Sequence, residues 1–376
     1  MTAVTRRIPL LIAALALAAW GSTACGAPAG RPAGPSSEPE TGSDADAAPD
    51  LAVTRLAFGS CARQDRPQPV WDGVLAADPD LFVLLGDNVY GDTEDMAVLA
   101  AQYARLDAVP GFARLRARVP LHATWDDHDY GRDDAGSEYP MKAASKNVLL
   151  AFLGEPHDSP RRTHAGVYHA QSFGPPGRRV QLLLLDTRSF RDALVHQRDA
   201  GDDGRPGPYV PTDDAATTLL GEEQWRWLER RLGEPAELRV IASSIQVVSA
   251  EHGWESWSNF PHERRRLLEL LATTRAGPAV VISGDRHFAE IALEAEAPGG
   301  SLFDVTASSL NASARAWRAL EPNRRRVAGM PWGDNFGLLV VDWDAGPPML
   351  SLQIRDVAGD VVLRHDVPLA RLAATP

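Results

Sequence analysis

The chain has 376 residues, 44% of them hydrophobic and 23% charged, a composition that sustains a globular core and excludes a wholly disordered, collagenous or disulfide-dense protein. Acidic residues outnumber basic ones by 50 to 38, a net charge of −12, so specific nucleic-acid binding is not expected and whole-molecule attraction to an anionic surface is excluded. Basic charge is almost entirely arginine, the two lysines being Lys142 and Lys146.

At the start of the chain, Arg6 and Arg7 precede an apolar run over 8–20. That run is shorter than the roughly 20 residues of a membrane-spanning helix and matches the core of a signal peptide. It closes on Ser22-Thr23-Ala24-Cys25, a cysteine after small residues as in a bacterial lipoprotein cleavage box, with Ser22 where leucine is usual. Residues 1–24 are therefore expected to be a signal peptide, with Cys25 as the site of lipid attachment. The alternative is cleavage near Ala27-Pro28-Ala29, which releases a soluble periplasmic or secreted protein. Thr5-Arg6-Arg7-Ile8 also resembles a twin-arginine export signal. Residues 25–51 are Gly, Pro, Ala, Ser and acids without apolar periodicity, the composition of a flexible linker. One domain is expected over 52–370, with 371–376 as a tail.

Within that domain, apolar runs at 53–59, 81–85, 121–124, 180–185, 239–243, 279–283 and 338–341 predict buried strands. Helical patterns at 141–153, 222–232 and 262–271 lie between them, and the alternation predicts an α/β sheet. Segments 288–294, 302–307, 336–342 and 349–355 are separated by fewer helices and suit an antiparallel portion. Two packed mixed sheets with helices outside satisfy both halves.

Ligands in open α/β sheets gather beyond the carboxyl ends of strands. Here those ends read Gly59-Ser60-Cys61, Gly86-Asp87-Asn88-Val89-Tyr90, Trp125-Asp126-Asp127-His128-Asp129 and Ser283-Gly284-Asp285-Arg286-His287. Carboxylates brought that close repel one another unless cations neutralise them. Hard oxygen donors suit Ca²⁺, Mg²⁺ or Mn²⁺, while a thiolate and a phenolate beside an imidazole suit Fe³⁺ or Zn²⁺, so a mixed-metal site is expected. Cys61 has only Cys25 as another cysteine, and loss or lipidation of Cys25 removes any disulfide role.

In this order these motifs closely resemble the PhoD-like alkaline phosphatase and phosphodiesterase family of metallophosphoesterases. Asp129-Tyr130-Gly131, Asp134-Ala135-Gly136, Leu185-Asp186-Thr187-Arg188, Ser243-Ser244-Ile245-Gln246 and Gly253-Trp254-Glu255 extend the resemblance over roughly residues 55–340. Ordinary metallophosphoesterases open with Asp-x-His and close with Gly-His-x-His. Ser60-Cys61 and Asp285-x-His287 stand in those places, as in the PhoD-like branch.

The resemblance implies a four-layer α/β/β/α sandwich and a catalytic domain that hydrolyses phosphate mono- or diesters. It implies Fe³⁺ on Cys61, Asp87, Tyr90 and His287, and Ca²⁺ sharing Asp87 and adding Asp127 and Asp285, with other divalent metals as alternatives. Asp126, Asp129 and Gln246 are candidates for further ligation or for support of the ligands. The mechanism then expected is attack on phosphorus by a metal-activated hydroxide, with His128 as general acid or phosphoryl contact. Arg286 either clamps a phosphoryl oxygen or forms a structural ion pair. Competing expectations are a phospholipase D-like hydrolase on membrane lipids, reached through the lipid anchor, and a non-enzymatic metal-stabilised binding lipoprotein on the same fold.

Overall fold

The computed structural model describes residues 47–48, 52–201, 203–314 and 319–373. The signal peptide, Cys25 and nearly all of the linker lie outside them. In chain order the first half comprises β1 (Ala47–Ala48), β2 (Arg55–Gly59), α1 (Val70–Ala76), β3 (Leu81–Leu85), α2 (Met96–Asp107), α3 (Pro110–Arg116), β4 (Leu121–Thr124), α4 (Asp127–Tyr130), α5 (Lys142–Leu153), β5 (His169–Phe173) and β6 (Val180–Leu184). The second half comprises β7 (Val195–His196), α6 (Gln197–Ala200), β8 (Tyr209–Val210), α7 (Gly221–Leu232), β9 (Leu238–Ala242), α8 (Pro261–Thr273), β10 (Ala279–Ser283), β11 (Ala289–Glu294), β12 (Leu302–Ala307), β13 (Arg326–Met330), β14 (Asn335–Asp342), β15 (Met349–Asp356) and β16 (Val361–Pro368).

Two mixed sheets result. The larger runs β1-β5-β6-β9-β10-β12-β11-β13 and the smaller β16-β15-β14-β2-β3-β4, while β7 and β8 form a separate hairpin. Both sheets have parallel centres, with β2, β3 and β4 parallel in one and β6, β9, β10 and β12 parallel in the other. Parallel strands covered on both faces read as unbroken apolar runs. That is why these strands stand out in the sequence.

Side-chain alternation along each central strand divides the core into layers. On β3, Leu81, Val83 and Leu85 face the other sheet, while Phe82 and Leu84 face α1, α2 and α3 through Trp71, Tyr103 and Phe112. On β10, Val280 and Ile282 join the layer between the sheets, and Val281 packs with Trp225, Leu228 and Leu267 of α7 and α8. The order of layers is helices, sheet, sheet, helices, the four-layer α/β/β/α sandwich. The buried positions Trp225, Leu228 and Leu232 of α7 recur at i, i+3 and i+7, one stripe of an otherwise charged helix.

The structure departs from the sequence reading at the margins. β2 starts at Arg55 rather than 53, because the Asp80 carboxylate takes the Thr54 N–H at 2.7 Å and ends the ladder there. β12 was expected in the antiparallel portion, yet it lies between β10, to which it is parallel, and β11, to which it is antiparallel. β5, β13 and β16 fall outside the apolar runs: β13 and β16 are sheet edges with alternating or exposed side chains, and β5 mixes polar with apolar residues. Two residues of the expected linker, Ala47–Ala48, pair with β5 as a parallel edge strand. Leu372 lies in the core between the sheets, past the expected end of the domain at 370.

Candidate metal centre

Four strand ends meet at one end of the sandwich. The turn after β2 carries Cys61, whose N–H reaches Gly86 O at 3.4 Å, and Ala62 N–H donates to Asp87 O at 2.9 Å, tying it to the turn after β3. Gly86 has φ of +97°, and a Cβ there would stand 2.5 Å from the Asp126 backbone nitrogen, so glycine lets the turns after β3 and β4 pack together. Cys61, Asp87, Asp285 and His287 all hold left-handed backbone, with φ of 60°, 49°, 69° and 59°. Each non-glycine residue there costs on the order of 1–3 kcal/mol, a strain sustained only where surrounding contacts over-determine the turn.

One donor atom each from Cys61, Asp87 and His287 falls within 4.8 Å of the others, and Asp87, Asp127 and His128 form an overlapping group. The Tyr90 hydroxyl donates to Asp87 Oδ2 at 3.2 Å, and the Cys61 thiol to the same oxygen at 3.5 Å. His287 Nδ1 lies 2.6 Å from Ala312 O, an acceptor that puts the proton on Nδ1 and leaves Nε2 as the donor for a ligand. Asp285 belongs to neither group; it lies in Coulombic reach of Asp127, and Arg286 Nη1 sits 3.1 Å from its Oδ2.

The other predicted residues take distinct places. Asp129 accepts from the backbone N–H groups of Asp87 and Asp126 (3.1 and 2.8 Å), Asn88 Nδ2 (2.6 Å) and the Tyr103 hydroxyl (2.8 Å), so both its oxygens bind the chain. Gln246 donates to Glu290 and Thr306 at 2.8 and 2.9 Å and its Oε1 lies 3.0 Å from His252 Nε2, partners that include none of the proposed metal ligands. Asp126 Oδ1 receives Arg188 Nε at 2.6 Å and Ser244 Oγ at 2.7 Å. Arg286 is buried with its Nε 3.1 Å from Glu321 Oε2 and its guanidinium 5.1 Å from the Trp254 ring centre. Its donors face carboxylates of the chain, the ion-pair arrangement of the two alternatives.

Sequence reading assigned no part to Arg188. Its guanidinium, fully buried, also reaches Glu255 at 2.6–2.8 Å and stands 3.8 Å from Asp127. An arginine two residues after an acidic strand end, in Leu185-Asp186-Thr187-Arg188, was the available signal. Asp92 was missed as well; its Oδ1 lies 2.7 Å from His128 Nδ1.

These neighbours set the electrostatics. Burial and then the nearby Cys61 and Asp127 push the Asp87 carboxyl well above the usual range. Burial works against ionisation of Asp127 too, but Arg188 and His128 hold it at about 2. Burial disfavours the His128 cation, yet the bond to Asp92 and the charges of Asp87 and Asp127 push it up to about 11. Asp87 Oδ1 is buried without a hydrogen-bond partner. A buried carboxylate with one unpartnered oxygen, grouped with a thiol, a phenol, an imidazole and a second carboxylate, is a donor set that fits a cation.

Fold and site together define a class, a four-layer α/β/β/α protein with a metal-type donor cluster built from its strand ends. The PhoD-like phosphatase family model matches residues 56–319, and the chain belongs to that family. Alkaline phosphatase D of Bacillus subtilis (strain 168) is 26% identical over 208 residues, covering 50% of this chain and 34% of that protein, so the match spans about a third of that relative's length. The solved structure of PhoD superposes with a TM-score of 0.66 at 18% identity, over 85% of this chain and 70% of that one. GAP50, the anchor in the inner membrane complex of Plasmodium, gives a TM-score of 0.51 at 11% identity, over 86% and 89% of the two chains. At these identities the two structures speak for the fold. Among the described residues no helix is long and apolar enough to cross a membrane.

Proposed function

We propose that the protein is a metal-dependent hydrolase of phosphate mono- or diesters, exported and either anchored through lipid on Cys25 or released. The observation that carries this reading is the buried Asp87 carboxylate, whose Oδ2 takes the Cys61 thiol and the Tyr90 hydroxyl, whose Oδ1 has no partner, and which groups with His287 and with Asp127. Cys61, Asp87, Tyr90 and His287 would hold Fe³⁺, and Asp87, Asp127 and Asp285 would hold Ca²⁺ or a similar hard cation. Cations bound there neutralise phosphoryl oxygens and make water a nucleophile near neutral pH.

The chain's own residues then have separate tasks. His128, held by its Nδ1 contact with Asp92, would offer an Nε2 proton to the leaving oxygen. Asp129 locks the turns after β3 and β4 in register, and Arg188 holds Asp126 in place and keeps Asp127 ionised. Arg286 holds Asp285 against Glu321 rather than clamping substrate.

Hydrolysis of p-nitrophenyl phosphate and bis-p-nitrophenyl phosphate, with elemental analysis of the purified protein, tests the reading. Turnover should vanish on chelation and return with iron and calcium; full activity in a stripped sample overturns it. The export arm is separate: Cys25→Ala should convert a membrane-associated mature protein into a soluble or unprocessed one. Unmodified Cys25 and no membrane association in the parent would leave the released form.

A further inference from the structure

Away from the strand ends, a cavity of about 410 Å³ opens between the start of α5 and the loop before β5, and both lysines of the chain line it. Arg162 adds a third cationic side chain, His164 an imidazole that burial holds below its usual range, Asn147 a polar amide and Phe190 an aromatic side. Among the described residues no aspartate or glutamate lines this cavity, although acidic residues predominate in the chain.

Lys146 is 7% exposed, and its ammonium donates to His164 O, leaving two of its three N–H donors uncommitted. Lys142 donates to the carbonyls of Ser137 and Ser189 at 2.8 and 3.4 Å. Arg162 gives Nε to Pro156 O at 2.8 Å and one Nη2 proton to Glu155 O at 2.6 Å, which leaves Nη1 free. Among the described residues none of the three has a carboxylate within ion-pair distance. A buried ammonium satisfied only by a carbonyl is costly unless an anion completes its shell.

We propose that this cavity is a second binding site, specific for a small organic phosphate whose phosphoryl group meets Lys142, Lys146 and Arg162 and whose ring or apolar body lies against Phe190. Three converging cations match a dianion better than a single carboxylate, and the volume is that of a small-ligand pocket rather than of one ion. None of its residues belongs to the proposed metal centre, so the site stands or falls independently of the hydrolase reading.

Pyridoxal 5′-phosphate and pyridoxal are the probes. The unprotonated Nζ of a lysine adds to the aldehyde carbon, water leaves, and borohydride delivers hydride to the carbon of the resulting imine while solvent protonates nitrogen. Mass mapping then reads the secondary amine at Lys142 or Lys146, and ³¹P spectra check that the ester stays intact. At these lysines the preference for the phosphorylated aldehyde over pyridoxal should exceed by at least ten-fold the preference shown by Nα-acetyl-lysine, which reads the intrinsic difference made by pyridoxal's internal hemiacetal. Millimolar inorganic phosphate should slow labelling by the phosphorylated aldehyde, and Arg162→Gln should cut its advantage three-fold or more. A preference no larger than that of Nα-acetyl-lysine overturns the proposal, as does a rate indifferent to both inorganic phosphate and Arg162→Gln. The comparison of aldehydes on the parent protein stands even where the variant fails to fold.

Discussion

Asp87 turns out of β3 with φ of 49° and one buried oxygen without a partner, and every other member of the donor cluster is arranged around it. Asp87→Asn keeps the volume and removes the charge. It should lower bound metal and reduce kcat on the order of 10³-fold or more, read by elemental analysis and p-nitrophenyl phosphate turnover. Tyr90→Phe keeps the ring 4.3 Å from that of His128 while deleting the hydroxyl that reaches Asp87. A phenolate on Fe³⁺ absorbs visible light, so the parent should be coloured and the variant's band weaker or shifted; an unchanged spectrum and rate would remove Tyr90 from the site. Arg188→Met strands Asp126 without its buried cation and leaves Glu255 with Arg191 alone. Breaking a buried ion pair from one side costs about 3–5 kcal/mol, so the urea midpoint should fall accordingly, and an unchanged midpoint would make Arg188 a bystander.

At the scale of elements, β4 of the smaller sheet and β5 of the larger carry a pH dependence. His122 of β4 is held down to about 4 by burial and then by Arg161, and His169 of β5 to about 2 by burial, Arg161 and His122. Unfolded histidine titrates near ~6.5. Between that value and the folded ones the unfolded chain binds more protons, so stability is full above about pH 6.5 and is lost as pH falls toward 4, by about 1.4 kcal/mol per unit for each histidine. Urea midpoints at pH 7 and pH 5 should show the loss, and a His122→Leu, His169→Leu double variant should flatten it.

At the scale of the molecule, stability and site share one layer. Phe58 on β2 is buried between the sheets, and a Cβ at Gly337, its partner on the neighbouring strand β14, would stand 2.1 Å from its ring, so the phenyl lies over that glycine. Phe58→Ala should cost about 3–5 kcal/mol in urea unfolding. Because β2 leads straight to Cys61, the same variant should bind metal more weakly at temperatures where it remains folded. Normal metal content in a variant destabilised by that amount would uncouple the inter-sheet core from the centre.

Strands buried on both faces and the acidic, thiol and imidazole residues that follow them were legible in the sequence, since an unbroken apolar run and its polar terminus are local signals. The four-layer class followed from the same runs once their motifs were recognised. Which polar group faces which was not legible. Asp129 and Asp127 are two residues apart in one motif, yet one binds four donors of the chain and the other joins the donor cluster, a division made by Asn88, Tyr103 and Arg188 from distant segments. Arg286 sits between two proposed ligands in sequence, and only the fold brings Glu321 to its guanidinium. β12 inserts beside β10 because sheet order is set by long-range pairing, which no local period encodes. The sequence by itself determined which residues reach the strand ends; the tertiary structure decided their partners, because hydrogen bonds and ion pairs depend on distances between segments that lie far apart along the chain.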